Sequence, residues 1–446
     1  MSSLKKLAIR GAVWTIASYG ASQLLRFGSN LILTRLLEPK LFGLMALVYI
    51  FIIGVNLFSD VGLGPSIIQN NRGDDPTFLN TAWTMQVMRG FGLWFCILAL
   101  AGPVAKFYGE PQLLWLLPTV GLTTIFNGFN STALFTLNRH MAIGKLAVFE
   151  LGIQVISLTV MNTWAWFSPN VWAIVAGSLT GDIVRLVWSH RLNREVPNHF
   201  NWDREAVNAI FSFGKWIFIS TAIAFLAEQI DRLMLGKLLS FELLGVYGIA
   251  LTLADMPRQV LAAIVHKVMF PALSKLSDLP RDTFRTKLLQ NRWPILASLV
   301  LGLTILVSFG DLLILVLYDK RYTQASWMLP LLALGIWPRI LAQTIDAALL
   351  ALGKPIYSTC GNFLKFSFMV VGLPLGFSFM GLAGAIIVVA LNDLPFYGAV
   401  AYGLCREGIT SIVQDIKATA LMLLLLIAVL TCRFVLGFGF PIQGIL

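Results

Sequence analysis

Apolar residues run along this chain in long, continuous stretches of about 20 residues or more, which short polar turns interrupt. A helix of that length crosses a hydrocarbon core about 30 Å thick, and only a helix satisfies its own backbone hydrogen bonds in lipid. Strands of a membrane barrel would instead alternate apolar and polar positions. The pattern predicts an all-α, polytopic membrane protein with about 13 (12–14) transmembrane helices, at 11–34, 42–68, 79–104, 112–138, 143–166, 171–189, 212–236, 243–268, 293–318, 324–352, 356–378, 381–404 and 418–437.

Composition supports the membrane class, because 57% of the 446 residues are hydrophobic and only 12% are charged, where soluble domains carry roughly a quarter charged residues. The first apolar run follows a basic start but is too long for a signal-peptide core and meets no small-residue cleavage site, so we expect a retained first helix. The four cysteines lack metal-ligand spacing. The sequence therefore predicts no disulfide framework, no metal site and no cofactor.

The net charge of +11 is explained by topology rather than by a nucleic-acid partner. When the N-terminus is placed inside, most of the 33 lysines and arginines fall in turns on the same side of the membrane. Cytoplasmic loops carry such an excess of basic residues. We therefore expect a cytoplasmic N-terminus and no binding of nucleic acid.

Two short polar turns, RLLEPKLFG (35–43) and KLLSFELLG (237–245), interrupt long apolar runs in a similar way. They lie 202 residues apart, and at the same offset Trp14 matches Trp216. A second echo, WLLP at 115–118 and WMLP at 327–330, opens predicted helices 4 and 10. Both echoes relate helix n to helix n + 6. Because six is even, the two halves would have the same orientation, as in a parallel repeat about an axis along the membrane normal.

This repeat predicts two six-helix lobes with a cleft between them, an arrangement suited to alternating access. Besides the linker at 190–211, a long cytoplasmic connector at 269–292 has the pattern of an amphipathic helix on the membrane surface. The predicted organisation is an N-terminal lobe (1–189), a cytoplasmic linker (190–211), a C-terminal lobe (212–404), and an additional helix and tail (405–446) that end in either a thirteenth helix or a short fourteenth segment.

The opening residues 11–69 carry a specific combination: Gln23, the Arg35-Leu-Leu-x-Pro-x-x-Phe-Gly turn and Asp60-x-Gly62-x-Gly64 followed by IIQ. With FPALSKL and ALGKP further on, this resembles the Wzx-type polysaccharide-export flippases, in the superfamily shared with the lipid II flippase and the multidrug and toxin extrusion exporters. The resemblance implies a bacterial inner-membrane carrier. Such a carrier would flip a polyprenyl-pyrophosphate-linked oligosaccharide, destined for exopolysaccharide, capsule or O-antigen, from the inner to the outer leaflet.

Charged side chains inside predicted helices are costly and need a partner or a water-filled cavity. Guanidinium groups bind phosphate oxygens through two parallel hydrogen bonds, so cationic side chains in a lipid carrier suit a pyrophosphate. The alternative is that each one is paired structurally or reaches the membrane surface. The candidate substrate-binding residues are Arg26, Arg258, Arg339 and Lys365, while Arg89 is more simply explained by packing.

Asp255 and Arg258 share one face of predicted helix 8, with Pro257 between them. Proline removes a backbone hydrogen bond, so the sequence predicts a bent helix with a charged pair, which suits a gate or hinge. A neutralised pair inside a helical bundle is the alternative.

Ion coupling would require carboxylates that can take up a proton in a cavity of low polarity. The gating or coupling candidates are therefore Asp255, Pro257, Asp60, Glu150, Glu228 and Asp346. Glu150 and Asp346 are expected to be the more isolated carboxylates. Glu228 and Arg232 stand four residues apart, so we expect that pair to be satisfied within its own helix.

No enzyme is expected, because the predicted outer loops are short and no nucleotide-binding motif GxxxxGK[ST] is present. The alternative function is a cation-coupled multidrug or metabolite antiporter of the extrusion family. The expected partners are the lipid bilayer and the lipid-linked oligosaccharide, and a polysaccharide polymerase and chain-length proteins are candidate partners.

Overall fold

The structure is a computed structural model that describes residues 2–59, 62–140, 142–192 and 198–442, without the side chains of 2–13, 15–16, 69, 211–220 and 266–267. No β-strand occurs among the described residues. The helices are α1 (Ser2–Leu36), α2 (Pro39–Leu57), α3 (Leu63–Gln69), α4 (Pro76–Tyr108), α5 (Leu113–Gly128), α6 (Ala133–Arg139), α7 (Ile143–Phe167), α8 (Val171–Leu192), α9 (Arg204–Leu238), α10 (Phe241–Ala254), α11 (Met256–Ile264), α12 (Phe270–Ser274), α13 (Arg281–Leu317), α14 (Gln324–Gly335), α15 (Trp337–Ala351), α16 (Ile356–Leu391), α17 (Leu394–Arg406) and α18 (Ile412–Val435).

The all-α, polytopic class is confirmed. Eight helical segments in the described part of the chain are long and apolar enough to cross a membrane, counting α14 with α15, and α16 with α17, as one segment each. Two shorter apolar helices, α5 and α10, lie inside predicted membrane helices. The count of about 13 transmembrane helices stays a prediction, as does the orientation of the N-terminus.

The chain divides into two compact units, Met1–Phe225 and Leu226–Leu446, here called unit 1 and unit 2. The division falls inside α9 rather than in the predicted linker at 190–211. A single helix therefore contributes residues to both units, and the assignment of the two lobes stays a prediction.

Among the described residues, five predicted membrane helices, expected to be continuous, are broken. Four of them occupy paired positions of the sequence repeat, and the fifth, 381–404, is divided between α16 and α17. In unit 1, 42–68 is divided into α2 and α3, and 112–138 into α5 and α6. In unit 2, 243–268 and 324–352 are divided into α10 and α11, and into α14 and α15. These are predicted helices 2, 4, 8 and 10, so the breaks recur at the positions that the sequence repeat pairs. Non-helical backbone at membrane depth is tolerated where it is buried in protein or lines a polar cavity, so the described part of unit 1 has two such places and that of unit 2 has three.

The predicted linker is partly fixed to α4 by alternate residues. The backbone N–H groups of His199, Asn201 and Asp203 donate to the side-chain oxygens of Asn80, Thr84 and Thr81 at 3.0, 3.0 and 3.1 Å. Alternate residues of an extended segment face the same way, which is why every second N–H finds a partner on the helix. Residues 193–197 of the linker lie outside the described residues.

An ion-pair cluster at the start of α4 reinforces this attachment. Arg72 donates to Asp75 at 2.9 Å and to Asp203 at 3.0 Å. The hydrogen bond from Arg72 lowers the pKa of Asp75, which also caps α4 by accepting from the N–H of Thr77. The cluster joins the turn before α4 to the residue that precedes α9.

The connector at 269–292 differs from the expected surface helix. Residues 281–292 are the first turns of α13, which continues without a break to Leu317. Phe284, Leu288 and Arg292 are buried at a spacing of four residues, which places them on one face of the helix. The amphipathic pattern was read correctly, but this face packs against protein in unit 2.

Two buried arginines join α18 to α13, one near each end of α18. The guanidinium Nη1 of Arg292 on α13 lies 2.5 Å from Oδ1 of Asp415 on α18, and Arg433 on α18 pairs with Asp311 on α13. Arg292 also donates to Oγ1 of Thr344 at 2.6 Å. Because the partners follow the same order along both helices, α13 and α18 run parallel.

Helix α16 turns back on itself at Gly381, whose φ of 58° favours glycine. The arms on either side approach so closely that a Cβ on Gly384 would overlap the carbonyl oxygen of Gly376. Gly372 similarly faces Val388. This reversal lies between the predicted helices at 356–378 and 381–404, as their separation in the sequence predicts.

We expect Gly384→Ala to destabilise the protein by about 1–3 kcal/mol, the usual cost of forcing extra atoms into a packed site. The added methyl group would push apart two backbones that neither side-chain rotation nor solvent can relieve. Thermal unfolding in detergent measures the effect. Gly398→Ala is the matched control because a Cβ there meets nothing within 4 Å, and an equal loss in both variants would contradict this account.

Candidate functional site

A cavity of about 150 Å³ in unit 2 gathers most of the charged residues that the sequence singled out. Its walls come from the end of α9, from the α10–α11 and α14–α15 breaks, and from α16 and the α16–α17 break that follows it. The charged lining residues are Glu228, Asp231, Arg232, Asp255, Arg258, Arg339, Lys365 and Asp393.

The break between α10 and α11 supplies the predicted pair. α10 ends at Ala254, and α11 begins at Met256 with Pro257 in its first turn. Arg258 donates through Nη2 to Oδ2 of Asp255 at 2.8 Å, and its Nε donates to Oδ1. The bent helix and its charged pair are confirmed as geometry, while their role as a gate stays a prediction.

A second network joins three helices across the cavity. Arg339 on α15 donates to Oε1 of Glu228 on α9 at 2.7 Å, and Lys365 on α16 donates to Oδ1 of Asp393 at 2.8 Å. The Lys365 Nζ also lies 3.7 Å from Oε1 of Glu228. The two carboxylates therefore share two cations, and the guanidinium of Arg339 lies 4.1 Å from the centre of the Phe396 ring.

Glu228 was expected to pair with Arg232 within α9, and that expectation is wrong. Arg232 donates instead to Oε1 of Gln229 at 3.1 Å, while Glu228 bonds Arg339. A spacing of four residues favours Arg232, but Arg232 donates to Gln229 instead, and Arg339 from another helix forms a partly buried, charge-assisted hydrogen bond with Glu228.

The cavity contains four cationic and four acidic side chains, so its formal charge is zero when all are ionised. Two polar atoms of its lining also lack hydrogen bonds to any described residue. Nη1 of Arg339 and Oδ1 of Asp231 are buried and have no hydrogen-bond partner among the described residues. Nη1 of Arg339 lies 4.0 Å from Oδ1 of Asp393, which is an ion pair but not a hydrogen bond. A buried polar group without a hydrogen bond is costly, so the cavity offers one donor and one acceptor to a bound molecule or water.

Among the predicted site residues that the structure describes, Arg26, Glu150, Pro257 and Asp346 do not line this cavity. Arg26 is an exposed residue of α1 in unit 1, and Asp60 lies outside the described residues. Glu150 and Asp346 are not isolated, contrary to the expectation: Arg185 binds Glu150 through two hydrogen bonds of 2.8 and 2.5 Å, and Ser358 donates to Asp346. The partner of each carboxylate lies on another helix, so spacing along the sequence does not indicate it.

Asp393 lines the cavity but is not among the gating or coupling candidates that the sequence indicates. Its sequence carries a usable signal, because Pro395 follows it closely and proline favours the first turn of a helix. A carboxylate at such a helix break, in an otherwise apolar stretch that also holds Lys365, marks a polar site.

Unit 1 contains a larger cavity of about 380 Å³ between its own two helix breaks. Arg89 lines it and donates to Oγ of Ser59 at 2.9 Å and to the carbonyl of Asn56 at 2.6 Å. Those bonds agree with the structural reading of Arg89. Among the described residues of both units, no group of His, Cys, Asp and Glu side chains is placed to hold a metal ion.

Two solved structures have a fold similar to that of this chain. The solved lipid II flippase MurJ matches with a TM-score of 0.70 at 13% identity, over 93% of this chain and 92% of its own. An inward-facing multidrug resistance MATE transporter of the MOP superfamily matches with a TM-score of 0.67 at 12% identity, over 86% and 94%. At these identities the likeness establishes the fold.

Sequence relatives lie in polysaccharide biosynthesis. The lipopolysaccharide biosynthesis protein WzxC of Escherichia coli K12 is 22% identical over 89% of this chain and 81% of its own length. The succinoglycan biosynthesis transport protein ExoT of Rhizobium meliloti is 24% identical over 81% and 69%. Residues 32–327 match the family described as polysaccharide biosynthesis protein, which is well over half of the chain. This chain therefore belongs to the polysaccharide biosynthesis protein family.

Proposed function

We propose that this protein is a flippase, which moves a polyprenyl-pyrophosphate-linked oligosaccharide from the inner to the outer leaflet of the bacterial inner membrane. The glycan would be a repeat unit of exopolysaccharide, capsule or O-antigen. The N-terminus is cytoplasmic in this proposal, the two lobes alternate in access, and no chemical bond is made or broken. Relatives named for lipopolysaccharide biosynthesis and succinoglycan transport support it.

The observation that carries the proposal is the cationic group of Arg258, Arg339 and Lys365 around one cavity. The buried Nη1 of Arg339 has no hydrogen-bond partner among the described residues, while its Nη2 donates to Glu228. A pyrophosphate oxygen would satisfy the free donor and compete with Glu228 for the other. Guanidinium groups suit such bidentate recognition better than ammonium groups do.

The alternative of a cation-coupled antiporter is favoured by a different atom of the same cavity. Oδ1 of Asp231 is buried without a partner among the described residues, while its Oδ2 accepts from the hydroxyl of Tyr247. A cation could bind at that oxygen. The fold does not separate the two functions, because it matches the lipid II flippase and the multidrug transporter about equally well.

We expect bacteria that lack this protein to accumulate one lipid-linked oligosaccharide, measured by mass spectrometry of extracted lipids. Wild-type protein should restore the lipid pool. Arg339→Gln should lower export at least about tenfold, because loss of hydrogen bonds to a charged group costs about 1.5–3 kcal/mol.

The control is Arg321→Gln, which removes an arginine that pairs with Asp319 outside the cavity. Membrane levels of both variants are measured by immunoblotting, and Arg339→Lys should restore export only in part because it keeps the charge without the planar fork. An unchanged lipid pool, with altered tolerance to cationic compounds, would overturn the flippase proposal in favour of the antiporter.

A further inference from the structure

The unit 1 cavity and the charged cavity of unit 2 both lie beside helix breaks that the sequence repeat pairs, and their remaining walls come from different helices. Each is bordered by two such broken helices: α2–α3 and α5–α6 in unit 1, and α10–α11 and α14–α15 in unit 2. The repeat pairs helices 2 with 8 and 4 with 10. The helix breaks that the repeat pairs therefore border cavities with two different linings.

The unit 1 lining is rich in neutral hydrogen-bonding groups. The amide and hydroxyl residues are Asn56, Gln86, Thr124, Asn127, Asn130 and Ser131. The same lining also has apolar surface, which Leu63, Leu134 and Phe135 contribute. Two arginines also line the cavity, but Arg185 is bound by Glu150 through both of its terminal nitrogens.

One amide in this lining has a side-chain oxygen that accepts no hydrogen bond from the described residues. Asn130 is 7% exposed, its Nδ2 donates to Oδ1 of Asn127 at 3.0 Å, and its own Oδ1 has no hydrogen-bond partner among the described residues. Gln86 holds the wall next to it, because its Nε2 donates to the carbonyls of Asn127, Gly128 and Asn130 at 2.9, 3.1 and 3.2 Å. The free acceptor is thus fixed in place by neighbours that are already satisfied.

We propose that the unit 1 cavity binds a sugar residue. Sugars carry many neutral hydroxyl groups, each able to donate and accept, together with apolar ring faces. Amide and hydroxyl side chains beside apolar surface match that chemistry, and the volume of about 380 Å³ falls in the usual range for small-molecule sites of about 300–1,000 Å³. The hydroxyl of a sugar would donate to Oδ1 of Asn130.

This inference rests on the proposed function, since a sugar is a component of the oligosaccharide that the carrier is proposed to move. It also explains why the two cavities differ in charge. A neutral sugar gains little from charged groups, which would have to lose their own partners or hydration before they bound it.

The test uses the whole purified protein in lipid nanodiscs and the free monosaccharides glucose, galactose and N-acetylglucosamine as probes. Saturation-transfer NMR detects binding of each sugar, and titration gives its affinity. We expect at least one to bind the wild-type protein. Asn130→Ala should weaken that binding about 3- to 10-fold, because a neutral hydrogen bond contributes about 0.5–1.5 kcal/mol.

Asn162→Ala is the matched control. Asn162 lies in the same unit and also has a buried Oδ1 without a partner among the described residues, but it does not line the cavity. Its replacement should leave sugar binding unchanged. If no sugar binds, or if both variants lose binding equally, the proposal is overturned. Binding of farnesyl pyrophosphate to the same samples tests the unit 2 site separately, so failure of one assignment is distinguishable from failure of the other.

Discussion

Replacing Arg292 by leucine is expected to lower the free energy of unfolding by about 3–5 kcal/mol, the usual cost of removing one partner of a buried ion pair. Arg292 is fully buried and contacts Asp415, Thr344 and Gln414. Without it, the Asp415 carboxylate stays buried and keeps only the hydrogen bonds from Tyr397 and Ser411. Unfolding in mixed detergent micelles, followed by circular dichroism, measures the loss.

Two further variants make this result specific. Arg292→Leu combined with Asp415→Leu should recover much of the stability, because apolar replacement of both partners removes the unpaired charge. Arg281→Ala is the control, since Arg281 is a half-exposed residue of the same helix whose Glu407 partner is 3.9 Å away. An exposed pair of that kind contributes at most about 1 kcal/mol. If Arg281→Ala and Arg292→Leu cost the same, burial is not the cause.

The second expected result concerns the acidic side chains of the unit 2 cavity. Glu228→Gln combined with Asp393→Asn should tighten binding of farnesyl pyrophosphate about 100-fold. The double change leaves four cations and two carboxylates, so the formal charge rises from zero to +2. It also frees Arg339 and Lys365 from their present partners. Two released charged hydrogen bonds at about 1.5 kcal/mol each account for the factor.

Calorimetric titration of the purified protein with farnesyl pyrophosphate measures the affinity. The ligand should also raise the unfolding temperature of the double variant more than that of the wild type, since tighter binding stabilises the folded state more. Asp319→Asn is the control because it also removes a carboxylate that pairs with an arginine, with a charge change of +1 at a pair outside the cavity. Weaker binding in the double variant would mean that Glu228 and Asp393 hold the cations in position for the ligand.

Competition between these carboxylates and a pyrophosphate for the same cations would also limit how tightly the carrier binds its substrate. A cavity with a net positive charge would bind pyrophosphate strongly and release it slowly. Built-in carboxylates offer the cations an alternative partner, so the empty cavity is stabilised and the ligand can leave. This balance favours turnover over affinity.

Local features of the site could be predicted from the sequence, whereas contacts between distant helices could not. The Asp255–Arg258 pair and the break near Pro257 depend on residues three positions apart, and both were found. Arg339 and Glu228 are 111 residues apart, and no periodicity indicates which cation meets which carboxylate. Spacing alone therefore favoured Arg232, which is the wrong partner.

Two other features were hidden for different reasons. Arg292 follows several basic residues, so hydropathy placed it in a cytoplasmic turn, although its helix extends further and buries it. Asn130 is one of many asparagines in the chain, and only the break between α5 and α6 gives its amide a cavity to face. Burial and helix breaks depend on tertiary packing, which a pattern along one chain does not contain.

The two ion pairs between α13 and α18 also bear on the bilayer in which the protein works. Arg292 and Asp311 are 19 positions apart on one helix, which corresponds to about 28 Å at 1.5 Å per residue. That distance is close to the thickness of a hydrocarbon core. A helix with free ends adapts to a thinner membrane by tilting on its own, but α18 is held to its neighbour at both levels. Adaptation would therefore require both helices to tilt together, which makes this part of the protein sensitive to lipid chain length.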